Sequence, residues 1–124
     1  MTFYIAGKIK DNPNYREQFK TASEYIESLS PENVAINPTL LPDRLKETAY
    51  LPICLAMLEQ ADAICVITIA GCLPPVVLSR GVNAEMSYAR YQNKKIYYIY
   101  LKNDPCDVVE MREEESLWQD QEKK

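Results

Sequence analysis

The sequence predicts an α/β fold in which a parallel sheet is covered by helices on both sides. Two observations predict it. Short apolar runs rich in β-branched residues alternate regularly with longer stretches of helical periodicity. The length of 124 residues suits one domain with its own core.

Thr2-Phe3-Tyr4-Ile5-Ala6 is the first β-prone run, and Gly7 ends it. Asn12-Pro13-Asn14 breaks the chain. Asn14 with Glu17 has the spacing of a capping box. Tyr15, Phe19, Ala22, Ile26 and Leu29 then recur at helical spacing, so a first amphipathic helix is expected over residues 14–29. Ser30-Pro31 stops it. Val34-Ala35-Ile36 is a second short strand, closed by Asn37-Pro38. A long connection over residues 38–51 leads to Pro52, a favourable first helical residue. Ile53, Cys54, Met57, Leu58 and Ala61 form the stripe of a second helix from there.

The run from Ala63 to Ile69 is continuously apolar, as in a central parallel strand buried on both faces. Residues 71–80 read as a loop, because Pro74-Pro75 excludes regular helix or central strand. Gly81 opens a third helix, with Val82, Met86 and Ala89 along one side. Lys95 to Leu101 is a fourth strand, in which alternation puts Tyr97 and Tyr98 on opposite faces. Asn103-Asp104-Pro105 ends it. The expected single domain spans residues 1–124, with residues 107–124 as a C-terminal helical tail.

This alternation implies a flavodoxin-like three-layer sandwich of four to five strands in the order 2-1-3-4(-5), with right-handed crossovers. Ligands of such sheets bind at the carboxyl ends of the strands, where the chain order reverses. That place is the gap between strands one and three. The three glycines of the chain, Gly7, Gly71 and Gly81, all fall at this edge. Glycine lets backbone approach a ligand, and tight strand-to-helix turns also require it.

Charge and composition exclude several functions. Fourteen basic against eighteen acidic residues give a net charge of -4, which lacks the basic footprint of nucleic-acid binding. No run approaches the roughly 20 apolar residues of a membrane span. Met1 to Lys8 has no basic region leading into a long apolar stretch, so a cytoplasmic location is expected. Cys54, Cys65, Cys72 and Cys106 form no CxxC pair and read as reduced thiols. Histidine is absent, so no metal site is expected, and a general acid or base must be Asp, Glu, Lys, Tyr or Cys. There is no GxGxxG and no P-loop, so no cofactor is expected.

The segment Ser79-Arg80-Gly81-Val82-Asn83-Ala84-Glu85 carries the most chemical information. A helix N-terminus offers free N–H groups and partial positive charge to an anionic or hydroxylated ligand. Glu85 lies about one turn into the expected helix. A carboxylate held beside a sugar-binding cleft can attack an anomeric carbon. An acidic residue near a helix start is also a common stabilising placement. Lys8, Lys10, Arg44, Arg80 and Lys102 all lie on expected carboxyl-edge loops and would suit a phosphate; Asp11, Asp43, Glu47 and Asp104 in the same loops would make a mixed rim instead.

Tyr4-Ile5-Ala6-Gly7, Asn37-Pro38, Leu58-Glu59-Gln60-Ala61-Asp62-Ala63-Ile64, and Ser79-Arg80-Gly81 with Ala84-Glu85 and Ala89, in that order over residues 2–101, resemble the nucleoside 2-deoxyribosyltransferase-like superfamily, closest to its small bacterial and phage branch. The resemblance implies a small-molecule nucleoside or nucleotide ligand and a homodimer or larger homo-oligomer. It implies Glu85 as nucleophile. It also implies a pocket shaped by Tyr4, Ala6, Gly7, Asn37, Gly71, Ser79, Arg80, Gly81 and Asn83. The chain departs from the pattern: residues 68–80 contain no acid, and Ser79 stands where the transferases place an aspartate. Asp11, Asp43 or Asp104 would have to supply the second acid. Two functional readings follow: an N-glycosidase or deoxyribosyltransferase, or a nucleotide-binding or assembly module without catalysis.

Overall fold

The structure, a computed structural model, describes residues 1–42, 44–69, 79–103 and 105–114. The chain runs β1 (Thr2–Ala6), α1 (Tyr15–Leu29), β2 (Val34–Ile36), a short 3₁₀ turn (Pro38–Leu40), α2 (Glu47–Glu59), β3 (Ala63–Ile69), α3 (Arg80–Tyr91), β4 (Lys95–Asn103) and β5 (Cys106–Glu113). One five-stranded sheet has the order β2-β1-β3-β4-β5. The first four strands in that row pair in parallel, and β5 pairs antiparallel to β4. This is the expected flavodoxin-like architecture. No helix among the described residues is long and apolar enough to cross a membrane.

Strand alternation divides the core in two. Phe3 and Ile5 of β1, Cys65 and Ile67 of β3, and Ile99 and Leu101 of β4 face α1, where Phe19, Ala22 and Ile26 meet them. Tyr4 and Ala6, Ile64 and Val66, and Ile96 and Tyr98 face the other way, onto Leu58 of α2 and Val82, Met86 and Ala89 of α3. Tyr97 and Tyr98 take opposite faces as expected. Tyr97 sits edge-on to Phe3, with ring centroids 5.3 Å apart.

Three local expectations need correction. Asn14 is the N-cap of α1, but its side chain makes no capping hydrogen bond; Asn12 Oδ1 instead accepts from the Asn14 N–H at 3.3 Å. The second helix begins at Glu47 rather than Pro52, so Pro52 lies inside it. A proline this close to a helix start removes one hydrogen bond where few exist, and the helix continues through it. Residues 107–113 of the expected helical tail belong to a strand, β5, which starts at Cys106. The pairing with β4 slips between Tyr100 and Leu101, leaving Val109 as an extra residue in β5. The bulge puts Val108 and Met111, three apart in sequence, against the same α1-side core. That spacing imitates a helical stripe. Residues 115–124 of the expected tail lie outside the described residues.

Candidate active site at the carboxyl edge

The cleft opens at the carboxyl end of β1, between the loop that follows it, the segment of residues 38–54 and the start of α3. It is an open hollow of about 1200 Å³. Three elements build it. The end of β1 and the loop after it supply the floor and one rim. The 3₁₀ turn and α2 supply a wall. The first two turns of α3 close the far side.

The start of α3 is set locally. Ser79 is the N-cap, and its hydroxyl oxygen accepts from the Val82 N–H at 3.3 Å. One turn later Glu85 points inward and is 7% exposed. Tyr4, 1% exposed, comes up from β1 beneath it. The Tyr4 hydroxyl is within hydrogen-bonding reach of the Glu85 carboxyl and of the Cys54 thiol on α2. Burial pushes the Glu85 carboxyl up to about 7, and the Tyr4 hydroxyl, donating to the ionised form, opposes that rise. Burial also raises the Tyr4 hydroxyl and the Cys54 thiol, so both stay protonated at neutral pH. Glu85 Oε2 is buried with no hydrogen-bond partner among the described residues. A buried carboxyl oxygen left unpaired costs about 1–3 kcal/mol, so this group is held there at the expense of stability.

Of the residues expected at the site, Tyr4, Ala6, Gly7, Ser79, Arg80, Gly81 and Glu85 line the cleft together. Asn37 and Asn83 do not. Asn37 Oδ1 accepts from the Thr39 N–H at 2.9 Å and from its hydroxyl at 2.6 Å, which orders the wall from behind. Asn83 is exposed on α3, where its N–H donates to the Ser79 carbonyl at 3.0 Å as part of the helix ladder. Gly71 lies outside the described residues, as do Asp43 and Asp104. Of the expected basic rim, Lys8, Lys10 and Arg80 line the cleft, whereas Arg44 and Lys102 do not. Asp11 is on the same rim, fully in solvent.

The two described glycines of the cleft differ in what they do. A Cβ on Gly7 would meet the Phe19 ring at 3.1 Å and Ile67 Cδ1 at 3.2 Å. Its glycine is required by packing behind the floor. Among the described residues, a Cβ on Gly81 would meet nothing within 4 Å, and Gly81 lines the cleft.

Sequence reasoning missed Cys54 as a site residue. It was placed in the core stripe of the second helix, and that stripe does pack on the core. Nothing in the local pattern distinguished the one position of the stripe that reaches the Tyr4 hydroxyl.

The fold and the cleft together define a flavodoxin-like α/β protein with a candidate site at the carboxyl edge of its sheet. Among solved structures the chain is similar to a 2-desoxiribosyltransferase from Leishmania mexicana, with a TM-score of 0.61 and 19% sequence identity, over 82% of this chain and 65% of that one. The present chain thus spans less than two thirds of that enzyme's length. Residues 1–98 match the family model described as Domain of unknown function (DUF4406), and the chain belongs to that family. No curated protein matches it.

Proposed function

We propose that the protein is an N-glycosidase or deoxyribosyltransferase acting on a nucleoside or nucleotide, with Glu85 as its nucleophile. One observation carries the reading: a buried carboxyl lines the cleft with an oxygen, Oε2, that has no partner among the described residues, and a tyrosine hydroxyl lies beneath it. A fold that needs only packing at this point fills it with an apolar side chain.

In the reaction, ionised Glu85 attacks the anomeric carbon and forms a glycosyl ester while the carbon–nitrogen bond breaks. The electron pair of that bond leaves with the base, which takes up a proton. Water or a second base then attacks the same carbon and releases the carboxylate. Tyr4 orients Glu85 by donating to it. Asp11 is the candidate proton donor among the described cleft residues.

A specific observation favours the second reading, a binding module without turnover. The Glu85 carboxyl titrates near neutrality, so much of it is uncharged at pH 7 and acts as a donor rather than a nucleophile. The two readings part in one experiment. The protein is incubated with 2′-deoxynucleosides and their 5′-monophosphates, and free base is measured by chromatography. Base release that rises as pH passes through about 7 and disappears in Glu85→Gln supports the enzyme. A ligand-induced rise in Tm without base release supports the binding module. Base release unchanged in Glu85→Gln removes Glu85 from the mechanism.

A further inference from the structure

Among the described residues, the α1 side buries one amide side chain, and its bonds go neither to solvent nor to its own helix. Gln18, in the first turn of α1, is 3% exposed. Its Oε1 accepts from Asn12 Nδ2 at 2.8 Å, and its Nε2 donates to Asn103 Oδ1 at 2.8 Å. Asn12 Nδ2 also donates to the Lys8 carbonyl at 2.7 Å. The Asn12 N–H donates to the Ile9 carbonyl at 3.2 Å, closing a turn in which Asp11 takes a φ of 59°. A chain of hydrogen bonds therefore runs from the last residue of β4, through the buried amide, to the backbone of residues 8–11. Those residues form the rim of the cleft.

We propose that Gln18 is a positioning residue, which with Asn12 and Asn103 clamps the rim of residues 8–11 to the end of β4 and so holds the cleft in its ligand-binding shape. The clamp joins strands that are not neighbours: β3 lies between β1, which feeds the loop, and β4, which anchors it. Backbone pairing cannot supply that link, because the sheet ladder ends below the loop. An exposed loop with a left-handed residue has many alternative conformations, and ordering it on ligand binding would cost affinity. A buried, satisfied amide removes that cost in advance. Leucine of similar size would fill the same space without any of these bonds.

The functional half of this proposal rests on the reading of the cleft as a nucleoside or nucleotide site. The test therefore has one arm that depends on that reading and one that does not. Trypsin cuts after Lys8 and Lys10, so its cleavage rate there reports how firmly the rim is held. We expect Gln18→Leu and Asn103→Ala to speed these cuts by about fivefold or more in the otherwise folded protein. Asn103→Asp keeps an oxygen acceptor for Gln18 Nε2 and should cut like the parent. Asn103 is exposed, so this pair remains informative where Gln18→Leu does not fold. With 2′-deoxyadenosine 5′-monophosphate as the probe, Gln18→Leu and Asn103→Ala should raise KM, or Kd where there is no turnover, about tenfold with kcat little changed. Unchanged cleavage in both variants, or Asn103→Asp behaving like Asn103→Ala, overturns the clamp. Faster cleavage with unchanged KM and Kd overturns its role in binding. A parent protein that neither binds nor cleaves the probe defeats the reading of the cleft, while the trypsin arm still decides the clamp.

Discussion

The two faces of the sheet bury polar side chains on opposite terms. On the α1 face, Gln18 has its amide oxygen and nitrogen both engaged, at 2.8 Å each. On the face covered by α2 and α3, Glu85 is almost as deeply buried, yet one of its oxygens has no partner among the described residues. A satisfied buried group fixes a conformation, whereas an unsatisfied one stores chemical potential. The contrast separates a face whose buried polar group is tied into the fold from a face whose buried carboxyl opens onto the cleft. Apart from Gln18, the α1-side core is built from apolar packing. The opposite core carries Tyr4, Cys54 and Glu85 inside an otherwise apolar layer.

Removing packing from the α1 side is the strongest way to test this division. Phe19 is 1% exposed and fills the space behind Gly7. Phe19→Ala should cost about 3–5 kcal/mol in urea unfolding. If the face is purely structural, the fraction that stays folded keeps its pH profile of base release or binding. A profile moved by Phe19→Ala would show that the two faces are coupled.

The next effect is on the other face and depends on pH. Folded Glu85 titrates near 7, against an ordinary value of 4.5 in the unfolded chain. Between those values the folded state keeps a proton that the unfolded state has lost. Stability from this group is therefore complete below about 4.5 and is lost as pH rises through about 7. A gap of this size corresponds to on the order of 3 kcal/mol. Glu85→Gln should flatten the stability profile over that range and be the more stable protein at pH 8, while base release is abolished. A wild-type profile that does not fall between pH 5 and 8 would mean that Glu85 is not buried in the working protein.

The glycines sharpen the comparison with smaller effects. Gly7→Ala forces a Cβ against the Phe19 ring and Ile67, and should destabilise by about 1–3 kcal/mol. Gly81→Ala meets open space within a helix, and should be neutral or stabilising by up to about 1 kcal/mol. If the bare backbone at Gly81 receives a ligand, the same substitution weakens binding while Tm holds or rises. Calorimetric titration and thermal unfolding on the two variants separate a glycine kept for packing from one kept for a ligand.

The strands were readable because each obeys a period of two or a buried apolar run. The order of the first four strands was expected by likeness to flavodoxin-like sheets, and the sheet has it. The third helix was readable from the periodicity of Val82, Met86 and Ala89, but its cap was not: Gly81 was expected to open it, whereas Ser79 caps it. β5 was not readable. Its bulge places Val108 and Met111 on one face at a spacing that a helix would use, and only the presence of β4 beside it creates the bulge. The early start of α2 was hidden because Pro52 also suits a first helical residue. Asn37 and Asn83 were expected in the pocket from their place in the motifs, and neither lines it; the Asn37 side chain instead orders the 3₁₀ turn.

The amino-acid sequence alone determined the first four strands and the existence of the three helices, the apolar side of those strands, and the gathering of Gly7, Ser79, Gly81 and Glu85 at one edge. These follow from periodicity and chain direction, which act over a few residues. Only the tertiary structure decided that Glu85 is buried over Tyr4 and Cys54, that Gly7 is a packing glycine, and that Gln18 ties the rim to β4. Burial and hydrogen bonding join positions up to 85 residues apart, and no local pattern encodes the distance between them.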